Sequence, residues 1–145
     1  MSESVTERTV IAASPSTILD AIIAVDAYPQ WQRDVKEVEV LERDAQGRPA
    51  RARFVVDARI FTATYVLRYS YGEGTVRWKL ESSDQLRALD GGYTVTDAGD
   101  GQSTVVYELI ADPTISIPRF MRRAAAEKIV RSALDNLRDR VEPGR

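Results

Sequence analysis

Aromatic side chains at alternating positions are the residues of this sequence best suited to contact a ligand. Tyr65 and Tyr69 are four positions apart in one alternating run, so they point to the same face of a strand. Trp78, Tyr93 and Tyr107 lie in later runs. Such side chains combine a large apolar surface with one hydroxyl or indole N–H that can form a hydrogen bond. If they face a cavity, they suit a flat, partly oxygenated hydrophobic molecule. The alternative is that they simply fill the core.

Catalysis would have to depend on Tyr, Arg, Lys, Asp or Glu, because the sequence contains no His and no Cys. This excludes disulfides, thiolate or imidazole metal sites, cysteine nucleophiles and Ser-His-Asp chemistry. The polar candidates are Arg53, Asp57, Arg68 and Asp90. Alternation places the first three on the solvated face of the sheet, whereas a bulge at the neighbouring glycine pair would redirect Asp90. We therefore assign no catalytic residue and expect no metal and no cofactor.

Length and charge narrow the class of protein. The 145 residues fit a single domain over 1–145, and the formal net charge of −2 provides no overall basic surface for nucleic acid. The N-terminus lacks an apolar signal segment, and no stretch approaches the roughly 20 apolar residues that span a bilayer. We expect a cytoplasmic protein without a transmembrane segment.

Turn and cap residues predict the first elements. A strand ending at Ile11 precedes a helix that begins at Pro15, with Ser14 as its N-cap. That helix ends before Pro29, because proline disfavours helical geometry in the residue that precedes it. A second short helical turn is expected over residues 29–33.

Six further alternating runs, separated by turn residues, predict an antiparallel meander. The clearest covers residues 61–71, while Gly91 and Gly92 within a later run predict a bulge or a sharp bend. Apolar residues at helical spacing from Pro118 to Val141 then predict an amphipathic helix of roughly 22 residues, about 33 Å long. The expected class is α+β, with a curved antiparallel sheet of about seven strands, two short helices after the first strand, and one long C-terminal helix.

A cavity between sheet and helix needs small side chains as well as rings. Alanines on the strands and at the start of the long helix leave such space or, alternatively, permit close packing of helix on sheet; they are Ala52, Ala58, Ala63, Ala88, Ala124, Ala125 and Ala126. The predicted lining consists of aromatic residues: Trp31, Phe54, Tyr65, Tyr69, Trp78, Tyr93, Tyr107 and Phe120. Trp31 either borders the entrance or covers the core beneath the short helix.

Several segments resemble one known superfamily. Residues 13–20 (ASPSTILD), 26–31 (DAYPQW), 35–42 (VKEVEVLE), 89–93 (LDGGY) and 106–109 (VYEL) are similar to the polyketide cyclase/dehydrase branch of the START-like (SRPBCC) superfamily. The resemblance covers nearly the whole chain and implies a helix-grip fold, in which the sheet wraps around the C-terminal helix. It also implies an internal cavity. Members of the superfamily include aromatase/cyclases, lipid carriers, a ubiquinone-binding branch and a ribosome-associating branch.

We therefore expect binding, or transport, of a hydrophobic small molecule such as a lipid, polyketide or quinone. One alternative is a cyclase or dehydratase that acts on a poly-β-ketone. A second alternative is association with a ribosome, another nucleic acid or a membrane surface through the basic residues near the start of the last helix; these are Arg119, Arg122, Arg123, Lys128 and Arg131. The oligomeric state stays open, a homodimer included.

Overall fold

Seven antiparallel strands form one sheet that curves around a long helix. The computed structural model describes residues 2–58 and 61–143. Its strands are β1 (Glu3–Ile11), β2 (Val35–Arg43), β3 (Pro49–Asp57), β4 (Thr62–Gly72), β5 (Thr75–Ser83), β6 (Leu86–Gly99) and β7 (Gln102–Pro113), and its α-helices are α1 (Pro15–Ile23) and α2 (Arg119–Val141). The strand order is β1-β7-β6-β5-β4-β3-β2. This arrangement confirms the predicted α+β class and helix-grip fold.

The predicted cap begins α1. The Thr17 backbone N–H donates to Ser14 Oγ at 3.3 Å, and Pro15 is the first helical residue. A 3₁₀ helix, Val25–Gln30, follows almost directly and contains Pro29. The second helical turn thus lies a few residues earlier than residues 29–33, because the end of an α-helix tightens readily into 3₁₀ geometry.

Helix α2 packs mainly against one edge of the sheet, formed by β1 and β7. It contacts β1, β7 and α1, while the 3₁₀ helix contacts β2 at the other edge. The buried face of α2 is a stripe at helical spacing: Ala126, Val130, Leu134 and Leu137. Helix α1 covers part of β5 and β6, and the rest of the concave face of the central strands borders open space.

The glycine pair in β6 does not form a bulge. It lies where β6 separates from β5. The register of β6 with β7 runs unbroken through Gly91 and Gly92, which lie opposite Leu109 and Glu108. Pairing of β6 with β5, by contrast, ends at Gly91. The Leu80 N–H of β5 then donates to Asp90 Oδ1 at 2.9 Å, so that this carboxylate replaces a backbone acceptor. Asp90 is therefore part of the sheet structure.

Close backbone approach makes Gly91 sensitive to substitution. A Cβ at this position would lie 2.2 Å from the Glu108 carbonyl oxygen, which cannot move without breaking the strand pairing. We expect Gly91→Ala to lower the free energy of unfolding by roughly 2–3 kcal/mol, measured by urea denaturation. Gly72→Ala is the control, since its nearest neighbour is the rotatable Thr75 hydroxyl. Equal unfolding midpoints for the two variants would contradict this account.

Candidate ligand-binding cavity

A cavity of about 280 Å³ lies between the sheet and α2. Its walls come from the strands and from the first five turns of α2, and most of the lining side chains are apolar. Six alanines among the described residues border it: Ala58, Ala63, Ala111, Ala125, Ala126 and Ala133. The small side chains on the helix therefore leave space at this level instead of closing helix and sheet together.

Strand register assembles the aromatic wall of the cavity. The rings come from directly opposed positions, because residues paired across antiparallel strands share one face; the pairs are Phe54 with Tyr65, Tyr69 with Trp78, and Tyr93 with Tyr107. The Phe54 and Tyr65 rings stack at 5.3 Å, and the Tyr93 and Tyr107 rings meet edge-on at 4.5 Å. Trp78 also contacts the rings of Tyr69, Tyr93 and Tyr107, so these four rings form one continuous surface beside the stacked pair of Phe54 and Tyr65. These six predicted residues all line the cavity.

Four tyrosine hydroxyls in this wall form no hydrogen bond with any residue in 2–58 or 61–143; they belong to Tyr65, Tyr69, Tyr93 and Tyr107. Nor are these oxygens fully enclosed, because within the described residues only Trp31 Nε1 and Arg122 Nε are both fully buried and unpartnered. The hydroxyls therefore open onto the cavity. Buried polar groups normally have partners. What fills the cavity must supply them.

The cavity environment keeps these hydroxyls protonated. Burial raises the pKa of Tyr65 and Tyr69 above the ordinary value of 10.0, and in Tyr69 repulsion from neighbouring phenolates adds to the effect. Burial likewise raises the pKa of Tyr93 and Tyr107. At neutral pH the hydroxyls therefore donate and accept hydrogen bonds and do not act as bases.

Two residues predicted to line the cavity lie outside it. The Trp31 ring packs edge-on against Tyr28 at 5.1 Å and covers the core beneath the 3₁₀ helix. Phe120 is 75% exposed. The buried stripe of α2, extended towards its start, passes through Arg122 and leaves Phe120 on another face, which is also why Ala124 is exposed. On α2, Met121 and Ala125 border the cavity, whereas Phe120 and Ala124 do not.

A buried amide, missed in the sequence, ties the lining together. Gln32 follows the 3₁₀ helix and is only 8% exposed. Its Nε2 donates to the Ala133 carbonyl at 3.4 Å, and its Oε1 accepts from Asn136 Nδ2 at 3.1 Å. The segment before β2 is thereby fastened to α2. No local pattern marks Gln32, because its partners lie about a hundred positions away in the chain.

A buried ion pair, also missed, closes one end of the cavity. Arg122 Nη2 donates to Glu3 Oε2 at 3.3 Å, and Arg122 Nη1 donates to the Ile117 carbonyl at 2.5 Å. The side chains of Arg122 and Glu3 are only 12% and 6% exposed. One signal was present in the sequence: Glu3 has the same strand parity as the buried Val5.

The polar residues considered for catalysis all lie outside the cavity lining. Arg53 pairs with the carboxylates of Glu37 and Glu39, and Arg68 donates to Glu81 at 2.7 Å. Asp57 is exposed and accepts from the Thr62 hydroxyl at 3.4 Å. Residues 2–58 and 61–143 contain no group of acidic side chains that could hold a metal ion.

Ion pairs neutralise much of the basic surface near the start of α2. Three of its five basic residues are held by carboxylates: Arg122 by Glu3, Arg123 by Glu127, and Arg131 by Glu7 and Glu127. The remaining two, Arg119 and Lys128, form no ion pair within the described ranges. In the part of the chain that the structure describes, no helix is both long and apolar enough to cross a membrane.

Comparison with known proteins identifies the family. The family described as polyketide cyclase/dehydrase and lipid transport matches residues 2–142. The chain belongs to this family. No curated protein matches the sequence.

Solved structures share the fold of this family member at low sequence identity. A START superfamily protein from Mycobacterium smegmatis is 22% identical, with a TM-score of 0.89 over 95% of this chain and 96% of that one. The Zhui aromatase/cyclase from Streptomyces sp. R1128 is 14% identical, with a TM-score of 0.83 over 97% and 93%. Major latex-like protein 151 from Panax ginseng is 9% identical, with a TM-score of 0.72 over 98% and 99%. These matches establish a START-like helix-grip fold.

The raised tyrosine pKa values predict alkaline unfolding of this family member. Above the ordinary pKa of 10.0, the unfolded chain loses phenolic protons that Tyr65 and Tyr107 retain in the folded state. Their stabilising contribution is fully present below that pH and is lost as the pH rises above it. Each such tyrosine lowers the free energy of unfolding by about 1.4 kcal/mol per pH unit in this range.

We therefore expect phenolate absorbance and loss of far-ultraviolet circular dichroism to appear in one cooperative alkaline transition. Tyr71 is the exception, since burial, together with Asp44, raises its pKa only to about 12. Independent titration of most tyrosines near the ordinary value, with circular dichroism unchanged, would contradict this.

Proposed function

We propose that the protein binds a hydrophobic, partly oxygenated small molecule in the cavity between the sheet and α2. The observation that carries this proposal is the aromatic wall whose four tyrosine hydroxyls lack partners among the described residues. The rings supply apolar area, and the hydroxyls supply orientation. The family's association with lipids and polyketides supports the same class of ligand.

The size of the cavity favours a compact ligand. Its volume of about 280 Å³ lies at the lower end of the range typical of small-molecule sites. A ring system of two or three fused rings suits this space better than a long acyl chain. Polyketide-derived aromatics and short-chain quinones belong to this class.

Binding is favoured over cyclase or dehydratase chemistry because the six rings of the aromatic wall themselves provide no base. The tyrosines stay protonated at neutral pH, and Glu3 is ion-paired with Arg122. Among the described residues the lining has one other carboxylate, Asp34, which lies where the cavity meets a separate polar groove. The ion pairs near the start of α2 likewise disfavour phosphate binding to a ribosome or membrane.

Filling the cavity tests the binding site directly. Ala125 lines the cavity, whereas its neighbour Ala124 is exposed on another face of α2. We expect Ala125→Phe to weaken binding of the fluorescent probe N-phenyl-1-naphthylamine by at least about tenfold, because the new ring occupies the probe's space. Ala124→Phe adds the same ring outside the cavity and is expected to leave affinity within about twofold. Equal affinities for the two variants, or no binding by the unaltered protein, would refute the proposed site.

The hydroxyls are tested by removing one oxygen at a time. Tyr65→Phe and Tyr93→Phe keep the rings and remove only the unpartnered hydroxyls. We expect each substitution to weaken the binding of 2-naphthol by about 0.5–1.5 kcal/mol and to leave the binding of naphthalene unchanged. Both affinities are measured by displacement of the fluorescent probe. Equal changes for both compounds would mean that the rings alone contact the ligand. Native mass spectrometry of the protein purified from its own host would then identify the natural ligand.

A further inference from the structure

We infer that Lys128 and Ser132, where the cavity opens into the polar groove, bind the carboxylate of an amphipathic ligand whose ring system lies inside. The natural ligand is then a compact carboxylic acid on a ring system, bound as its anion. This inference rests on the proposed function, since it assigns the polar end of the same ligand.

The apolar cavity meets the polar groove along one flank of α2. Lys128, Ser132 and Asn136 border both spaces and follow one another at one-turn intervals along the helix. Asp34, in the segment before β2, borders both spaces as well. A ligand whose rings lie against the aromatic wall can therefore extend its polar end into this junction.

Lys128 brings an unneutralised positive charge to the junction. The other cation of the described lining, Arg122, is ion-paired with Glu3. The Lys128 ammonium group, by contrast, forms no ion pair or hydrogen bond with any residue in 2–58 or 61–143. Because Lys128 is exposed, its alkyl stem can border the apolar space while the ammonium group stays in the groove.

Ser132 adds a second donor one turn further along α2. Within the described ranges, its hydroxyl has no hydrogen-bond partner. A lysine ammonium group has donors only, and a serine hydroxyl can donate as well as accept. A carboxylate has two acceptor oxygens and can take a hydrogen bond from each of these side chains.

The charges of the groove favour an anion over a cation. Three charged groove residues already have partners: Asp135, Arg138 and Asp139. Those without a partner among the described residues are two cations and one anion: Arg33, Lys128 and Asp34. The excess positive charge attracts a carboxylate and repels an organic cation. Because both cations are exposed, the carboxylate keeps part of its hydration and avoids the cost of full burial.

Three naphthalenes of similar size but different charge test this selectivity at neutral pH: 2-naphthoate, 2-naphthamide and 2-naphthylmethylamine. Each is titrated against bound N-phenyl-1-naphthylamine. We expect the acid to bind about fivefold more tightly than the amide, and the amine to bind most weakly, because the unpaired charge at the junction is positive. The preference for the acid should shrink at high salt, since exposed charges are screened.

Lys128→Gln removes the proposed counter-charge and keeps most of the stem. We expect it to weaken 2-naphthoate by about fivefold and to leave 2-naphthamide within about twofold. Arg119→Gln is the matched control: it removes the same charge from an exposed residue of α2 that borders neither the cavity nor the groove. Its ranking of the three compounds should equal that of the unaltered protein. Lys128→Arg keeps the charge and should keep the preference for the acid.

Asp34→Asn provides a test with the opposite sign. This variant removes the one unpaired anion at the junction, which repels a ligand carboxylate. We expect 2-naphthoate to gain about two- to threefold in affinity, while 2-naphthamide changes by less than that. A loss of acid affinity in folded Asp34→Asn would contradict the inference.

The outcomes separate this inference from the function on which it rests. If the fluorescent probe does not bind to the unaltered protein, the proposed function is wrong. If the probe binds but the acid binds no more tightly than the amide, the cavity binds ligands and the carboxylate site is wrong. Equal effects of Lys128→Gln and Arg119→Gln on the acid, or tighter binding of the amine than of the acid, also overturn it. Should Lys128→Gln fail to fold, the ranking in the unaltered protein and its salt dependence decide the question.

Discussion

The one-sided packing of α2 is the constraint on which the cavity depends. The stripe from Ala126 to Leu137 fixes the helix to β1, β7 and α1, and the 3₁₀ helix covers β2 at the far edge. Between these two attachments the cavity separates the central strands from the helix. Their inward side chains therefore pack against one another across the strands. A helix centred on the sheet would instead bury the same rings in a solid core.

This arrangement explains why polar groups remain unpaired inside an otherwise well-ordered structure. The hydroxyls of Tyr93 and Tyr107 form no hydrogen bond with the described residues, and the ring contacts around them, with Trp78 and with each other, provide no acceptor. The single cavity tyrosine that is anchored, Tyr28, lies at the margin, where its hydroxyl donates to the Ile22 carbonyl. Local departures from full hydrogen bonding are expected where a protein reserves groups for a ligand.

This chain shares its overall fold with its structural neighbours although their sequences differ widely. The structural neighbours reach TM-scores of 0.72–0.89 at identities of 9–22%. What those folds have in common is the arrangement of the sheet around the C-terminal helix. The chemistry of each member depends on the side chains that lie between sheet and helix. Here they are rings, hydroxyls and one internally neutralised arginine.

Local rules account for what the sequence predicted well. Strand parity is a property of neighbouring residues, so the inward direction of Phe54, Tyr65 and Tyr69 followed from alternation alone. The start of α1 followed from Ser14 and Pro15 for the same reason. Family resemblance added the wrapping of the sheet around the C-terminal helix. The outward direction of Arg53 and Arg68 also followed from parity.

Only the tertiary structure decided where α2 docks and what it leaves empty. The rotation of α2 about its axis is set by contacts with β1 and β7, so the sequence pattern did not show that Arg122 lines the cavity and Phe120 lies outside it. The pairing of Arg122 with Glu3 joins residues more than a hundred positions apart, which no local pattern specifies. Whether rings and alanines enclose space or close it depends on the separation of helix and sheet, because a void is a property of distance and not of composition.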